Sequence, residues 1–409
     1  MSKRKTISII ATLDTKGEEV RYLKEQIEER GKDVIIVDSG IRGAPKAVKP
    51  DIPRETVAQE AGSSIEVLQK LDRGPAVDVM MKGVANIAKK LYIAGKMDGV
   101  ISIGGLDGAL LATAGMKVLP IGIPKLMVTP IAQGKHTFDP FVGTKDVMMM
   151  HTVVDVVGIN ELTKKIFDNA VAAIVGMVDA DVGAEIRGKN LIAIPMYGNT
   201  TPVVMRSKSL LEERGYEIIL FHPNGTGGRA MEELIEQGIF TAVLDMTTHE
   251  ITDDLFGGDH TAGPHRLEAA GKKGVPQVVV PGCIDFIIRI LPVSEVERIY
   301  EGRKLYYFNP TVTLVRTNKE EMEVIGRTMA DKLNKAVGPV VVVVPLRGMS
   351  MYNVKGGALY DPEADEAFLT SLKNNIDPRI EVVEVDAHIN DPIFADICVS
   401  NLLDMLEKK

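Results

Sequence analysis

The sequence predicts an α/β protein with two doubly wound parallel sheets, and three observations lead there. Short β-branched runs recur, each followed by a polar or glycine-rich turn and then a longer stretch with helical spacing, the pattern of βαβ units. Several of these runs are apolar on both faces, as strands covered by helices on both sides must be. The chain has 409 residues, too many for one ordinary core at roughly 150 residues per domain. In order, the strands fall at Ile7–Leu13, Val34–Asp38, Gly99–Ile103, Lys125–Val128, Leu191–Met196, Glu217–Phe221, Ala242–Asp245, Gln277–Val280, Thr313–Val315, Val340–Val344 and Val382–Val385.

The chain also repeats itself. Glu28-Glu29-Arg30-Gly31 placed over Glu212-Glu213-Arg214-Gly215 brings Ile7–Leu13 onto Leu191–Tyr197 without a gap, and Val34–Val37 onto Ile218–Phe221. A second anchor, Gly95 over Gly238, aligns the strand ending at Gly104 with the one ending at Thr247, and Pro124–Val128 with Pro276–Val280. The first half carries about 40 extra residues, Ile41–Met80. Two Rossmann-like domains follow, 1–184 and 185–409, as an internal duplication, joined near Asp179–Lys189. The stretch Asp146–Val178 reads as helical, with Val153, Val156, Val157, Ile166 and Ala170 on a broad apolar face that suits core or a homodimer interface.

Composition removes several function classes. A net charge of -8 argues against a phosphodiester-binding surface, so nucleic acid is not an expected partner. Only Cys283 and Cys398 occur, far apart, which excludes a disulfide framework or a zinc ribbon and fits a cytoplasmic location. The apolar run after the basic start, Ile7–Ala11, is too short for an export signal, and no run approaches the roughly 20 residues of a membrane span.

In open α/β sheets ligands bind outside the carboxyl ends of the strands, where loops vary and helix N-termini offer N–H groups. After the first strand comes Asp14-Thr15-Lys16-Gly17, a hydroxyl and a lysine at a helix start, which suit a phosphate or an ordinary capped helix. After the third comes Gly104-Gly105-Leu106-Asp107-Gly108, whose glycines allow close backbone approach and whose aspartate suits a cap or a ribose hydroxyl. Neither G-x-G-x-x-G nor the lysine-bearing phosphate loop is present. Thr129-Pro130 and Gln133-Gly134 are expected to close the same cleft.

In the second half the matching loops contain Gly198-Asn199-Thr200-Thr201 and then Gly225-Thr226-Gly227-Gly228-Arg229. The latter sets small residues, a hydroxyl and a guanidinium before a helix and is the expected anion site. Asp245–Arg266 is dense in polar groups, among them His249 and Glu250 as acid/base candidates; the second histidine of H-E-x-x-H is missing, so no dedicated zinc site is expected, while an acid/base or magnesium role and a plain solvated loop both stay open. Asp386-Ala387-His388-Ile389-Asn390-Asp391 follows the last strand, with His388 as a third acid/base candidate or part of a helix cap.

Pro195-x-x-Gly198-Asn199-Thr200-Thr201, Ala262-Gly263-Pro264-x-Arg266-Leu267-Glu268-Ala269-Ala270, Asn309-Pro310-x-Val312-Thr313-Leu314-x-Arg316-Thr317, Asp361-Pro362-Glu363-Ala364-Asp365 and Ala387-His388-Ile389-Asn390-Asp391-Pro392 resemble a poorly characterised microbial family. That family is related to the ATP-binding amino-terminal domain of the tomato mosaic virus resistance protein. The resemblance spans essentially the whole chain. It implies two Rossmann-like domains, ATP in the cleft of the first, with the loops Asp14–Lys16 and Gly104–Gly108 in contact with it, and dimerisation. Magnesium bridging the phosphates is the expected companion. One departure is Phe308, where the resemblance leads one to expect histidine before Asn309-Pro310. The functional expectation is an ATP-binding protein, an enzyme acting on a small phosphorylated or carboxylate metabolite in the interdomain cleft. Arg229 would be its anion clamp and His249, Glu250 or His388 its acid/base. The alternatives are an ATP-responsive scaffold without turnover and an NAD-dependent oxidoreductase.

Overall fold

A computed structural model of the protein describes residues 4–133, 139–180, 182 and 190–407. The chain divides into two compact units, Met1–Glu185 and Ile186–Lys409. The expected joint falls largely on residues outside the described ones, as does Gly134.

The first unit holds β1 (Thr6–Ala11), β2 (Asp33–Asp38), β3 (Gly99–Ile103), β4 (Lys125–Thr129) and β5 (Met148–His151). They form one parallel sheet in the order β2-β1-β3-β4-β5. Alternation along β1 sends Ile7, Ile9 and Ala11 to one face, where Val20 and Leu23 of helix Leu13–Glu29 and Phe167 and Ile174 of helix Glu161–Ala180 cover them. Ile10 points the other way, against Val84 and Ala88 of helix Arg73–Ile93 and Leu111 and Met116 of helix Leu106–Lys117. A sheet buried on both faces explains runs with no polar alternation.

The second unit holds β6 (Leu191–Pro195), β7 (Glu217–Phe221), β8 (Ala242–Asp245), β9 (Gln277–Val279), β10 (Phe286–Arg289), β11 (Leu305–Asn309), β12 (Val312–Arg316), β13 (Val340–Pro345) and β14 (Glu381–Val385). Six of these make a parallel sheet in the order β14-β13-β9-β8-β6-β7. The other three form a separate antiparallel sheet, β10-β12-β11. Numbered by succession, the parallel strands of both units run second-first-third-fourth-fifth, with a sixth added in the second unit, so each sheet reverses direction between its first and third strands. The repeat anchors also have one job. Gly31, Gly215, Gly95 and Gly238 all have positive φ and end helices in the same way. The N–H of Gly31 reaches the Glu28 carbonyl and that of Lys32 the Ile27 carbonyl; Gly215 and Tyr216 repeat this on Glu212 and Leu211.

Two expectations are corrected. Asp146–Val178 is not one helix: Met148–His151 is the edge strand β5, and the helix begins only at Glu161. Of its supposed apolar face Val156 and Ala170 are buried, whereas Val153 and Val157 are exposed and lie outside any helix. Thr313–Val315 belongs to β12 of the antiparallel sheet, not to the parallel succession. Among the described residues no helix is long and apolar enough to cross a membrane.

The extra segment of the first half folds back over the start of the first helix. The Lys46 N–H donates to the Leu13 carbonyl, and a Cβ on Gly17 would lie 1.9 Å from the Lys46 carbonyl oxygen. Backbone meets backbone there, so no rotamer change relieves the clash. Gly17→Ala is expected to cost about 1–3 kcal/mol by overpacking, read as a lower urea midpoint of the first unit; an unchanged midpoint would mean the segment does not rest on this helix.

Candidate functional site

The turn between its first and third strands gives the first unit its cavity. About 790 Å³ opens there, lined from the β1 loop by Thr12, Asp14, Thr15 and Lys16, and from the β3 loop by Gly105, Leu106, Asp107 and Gly108. Its size is within the roughly 300–1,000 Å³ of small-molecule sites. The glycines are there for access. A Cβ on Gly105 or Gly108 would meet no protein atom within 4 Å, so the space above them is the cavity itself. Helix Leu106–Lys117 begins after Gly105 with no side chain bonding its first turn, which leaves its N–H groups available to a ligand. Ile41, Val77 and Leu111 add an apolar wall.

Three cations reach this cavity. Lys16 leaves helical geometry, with φ -122° and ψ 16°, and its Nζ donates to the Val156 carbonyl. Arg42 donates to the Gln69 carbonyl and, at 2.8 Å, to the Leu71 carbonyl. Neither forms an ion pair among the described residues. Arg73, largely exposed, pairs with Asp107 at 2.5 Å. Asp14 accepts from the Gly43 N–H at 3.0 Å, which ties the overlying segment to the β1 loop. At the end of β2, Asp38 accepts through Oδ1 from Leu13 and Gly40 while its buried Oδ2 has no partner. Burial lifts its carboxyl above the usual range, against those two N–H donors. Arg42 and Arg73, which line the cavity, were missed in the sequence reading, as was Asp38, which is buried beside the lining residue Ser39. An aspartate closing the second strand is the signal that could have found Asp38. Of the expected residues, Gly104 packs against Gly108, and Thr129 is buried with its hydroxyl accepting from the Ile131 N–H, away from the cavity.

The second unit uses the same loops differently. The expected anion site at Gly225–Arg229 is already filled by the protein. Glu250 Oε1 accepts from the N–H groups of Gly225 at 2.7 Å and Gly228 at 3.1 Å. A Cβ on Gly228 would lie 1.8 Å from Glu250 Oε2, and one on Gly227 1.8 Å from the His222 carbonyl oxygen. These glycines admit the chain's own atoms. Thr226 is spent locally, taking an Arg229 N–H at 3.4 Å. Glu250 is therefore not a free acid/base: Arg266, itself buried, bonds Glu250 at 2.8 Å, Asp245 at 2.6 and 2.7 Å and Glu232 at 3.2 Å. Glu232 in turn accepts from the N–H groups of Leu267 and Ala269.

His249 is fully buried beneath this loop. Its Nδ1 donates to the Cys283 carbonyl at 2.8 Å and its Nε2 lies 3.2 Å from Asp253. Burial opposes the imidazolium, but Asp253 and the carbonyl outweigh it and raise the pKa. Such a histidine is a structural group, held in place rather than free to act as an acid or base. His388 is likewise occupied, with Nε2 on the Ser350 carbonyl and Nδ1 accepting from the Asn390 N–H. Thr200 is buried against Thr247.

A cavity of about 400 Å³ stays open beside these loops, lined by Tyr197, Gly198 and Asn199 after β6, by His222 after β7, and by His260. Its far wall is Phe286, Ile288, Val312 and Leu314 of the antiparallel sheet, with Phe308, Met351 and Tyr352. The Tyr197 hydroxyl donates to His260 Nδ1. Burial, with Asp253 and Glu250 behind it, pushes the phenol far up, and burial next to His249 pushes His260 down, so both are neutral near pH 7.

The fold and its loops define a two-unit α/β protein with a cavity on each sheet's carboxyl side. The chain belongs to the uncharacterised protein family UPF0261: the model of the family's N-terminal domain matches residues 5–182 and that of its C-terminal domain residues 189–406. A UPF0261 protein of Clostridium tetani is 44% identical over 99% of this chain and 100% of its own. One from Rhizobium meliloti is 38% identical over 98% and 99%. The ToMV susceptible protein tm-1(GCR26) of Solanum lycopersicum is 31% identical over 98% of this chain and 55% of its own. Among solved structures, UDP-N-acetylglucosamine 2-epimerase of Rickettsia bellii is 12% identical over 67% of this chain and 78% of its own, with a TM-score of 0.23. The UDP-GlcNAc 2-epimerase of Neisseria meningitidis bound to UDP-GlcNAc is 8% identical over 91% and 100%, with a TM-score of 0.24. Likenesses of this size bring no chemistry to this chain.

Two outcomes follow from the buried charges. Arg266→Met leaves three carboxylates without their counterion, and breaking such a network costs about 3–5 kcal/mol; the second unit is expected to unfold at markedly lower urea, and a wild-type midpoint would return Glu250 to a free role. Asp365, bonded to Arg316 and Asn353, is pushed up to about 6, by burial first, with Arg316 opposing and Asp285 adding to the rise. A raised carboxyl favours the folded state below its unfolded pKa, near 3.8, and that gain is lost as pH climbs through about 6. Asp365→Asn, which mimics the protonated form, is expected to flatten the fall in stability between those values by about 3 kcal/mol; an unaltered slope would contradict it.

Proposed function

We propose that the first unit binds ATP and that the protein is an enzyme acting on a small acidic metabolite held by the second unit. The observation that carries the nucleotide reading is the cavity between the β1 and β3 loops. It combines an open glycine floor, an uncapped helix start, the un-neutralised charges of Lys16 and Arg42, and an apolar wall for a base. The resemblance of Asp14–Lys16 and Gly104–Gly108 to nucleotide-contacting segments supports adenine in particular.

Magnesium fits this donor set. Asp14 and Asp107 are the carboxylates at the cavity, and magnesium on a nucleotide needs only one or two beside the phosphates. Among the described residues no cluster of three or more metal-ligating side chains exists, so a metal would arrive with the nucleotide. It would neutralise phosphate charge; Lys16 and Arg42 would hold the oxygens, exchanging backbone carbonyls for phosphate.

Titration calorimetry on the full chain tests the reading. ATP with magnesium is expected to bind, and Lys16→Ala to weaken it about tenfold, the size of one charge-assisted hydrogen bond. Gly105→Val, at an ordinary φ of -77°, is expected to fold and to lose binding because its side chain fills the floor. No heat with ATP at millimolar concentration would sink the proposal, and tight NAD binding in its place would favour a dinucleotide-dependent oxidoreductase. ATP binding without turnover on any acidic metabolite would favour a nucleotide-responsive scaffold.

A further inference from the structure

The second unit differs from the first by an insertion that makes a wall. Between β9 and β13 the chain runs out into the antiparallel sheet β10-β12-β11, whose pleat sorts its side chains. Ile287 and Val315 turn outward to Val296 of helix Val293–Ile299. Phe286, Ile288 and Leu314 turn inward, into one cluster with Tyr197. In register Ile288 stands opposite Leu314, so the inward face is continuous. Phe308 of β11 extends it, at the position where the sequence resemblance leads one to expect histidine.

Opposite this wall is a small polar end. Each of its two histidines has one nitrogen engaged inside the protein: His222 Nδ1 donates to the Met196 carbonyl at 3.3 Å, and His260 Nδ1 takes the Tyr197 hydroxyl. Among the described residues neither Nε2 has a hydrogen-bond partner. In His260 that tautomer leaves Nε2–H as a donor; in His222 it leaves Nε2 as an acceptor. Among the described residues no lysine, arginine, aspartate or glutamate lines the cavity. A dianion such as a phosphate monoester would be desolvated here with no fixed cation to meet it, which is costly. A carboxylic acid, whose one proton is shared with His222 Nε2 and whose other oxygen accepts from His260 Nε2–H, is within the site's means.

We infer that this cavity binds a monocarboxylic acid with an apolar body, aryl or branched alkyl, its carboxyl group at His222 and His260 and its body against Phe286, Ile288 and Phe308. Of the two acid classes expected from the sequence, it takes the carboxylates and rejects the phosphates. The inference rests on the reading that the second unit holds the substrate, but it requires nothing of the nucleotide. A volume of about 400 Å³, near the small end of ligand sites, limits the body to one ring or a short branched chain.

Titration of the full chain without nucleotide, using 3-phenylpropanoate, 4-methylpentanoate, 3-phenylpropanamide and phenyl phosphate, tests it. The two carboxylates are expected to bind, and the amide and the phosphate to bind at least tenfold more weakly. His222→Ala and Phe308→Ser alter exposed side chains and should fold as wild type, which circular dichroism checks; each is expected to weaken carboxylate binding about tenfold. Silence toward both carboxylates at millimolar concentration overturns the inference, as does a preference for phenyl phosphate or binding indifferent to both substitutions. Silence here together with ATP binding in the first unit would leave the nucleotide proposal standing. Carboxylate binding without ATP binding would do the reverse.

Discussion

Arg266 joins the polar loops of the second unit: its guanidinium takes both oxygens of Asp245 at the end of β8, one of Glu250 and one of Glu232. All of these groups are buried or nearly so, and ions in that setting persist only when each is paired and hydrogen-bonded. Glu250 meets the condition by also receiving two N–H groups from the Gly225–Gly228 turn, and Glu232 by receiving those of Leu267 and Ala269. The loops after β7 and β8 are thereby fixed to each other. His249, one residue before Glu250, is carried into the core, and the neighbouring Asp253 locks it there.

That arrangement decides which of the expected polar residues are available to a ligand. Two glycine-rich turns looked equivalent in the sequence. The one at Gly104–Gly108 has open space where side chains would be; the one at Gly225–Gly228 has Glu250 and the His222 carbonyl there. Composition cannot separate the cases, because a turn that must admit a phosphate and one that must admit a buried carboxylate need the same small residues and free N–H groups. The discriminating information is the partner, 25 residues away from Gly225.

The parallel sheets were legible because burial on both faces leaves a strong local signature; Gly31, Gly95, Gly215 and Gly238 were legible only as anchors of the repeat, and the structure adds that they end helices. The strands missed were of another kind. β5 is a short edge strand, Met148–His151, none of whose residues is buried; β10 and β11 belong to an antiparallel insert with no counterpart in the first unit. The reading of Asp146–Val178 as one helix failed because Val153, Val156 and Val157 fit a helical spacing while only Val156 is buried. Arg42 and Arg73 were invisible as site residues, since they reach the first cavity from the segment that interrupts the repeat.

Two cavities on one plan, each at the reversal between first and third strands, thus differ in chemistry through what surrounds them. The first has three cations and a glycine floor; the second has two histidines and an apolar wall. Amide hydrogen exchange on the full chain, with and without ATP and magnesium, tests the central claim most directly. The account predicts slowed exchange at residues 12–17, 40–43 and 104–109 of the first unit. Protection confined to the second unit's loops, or none at saturating ATP, would contradict it.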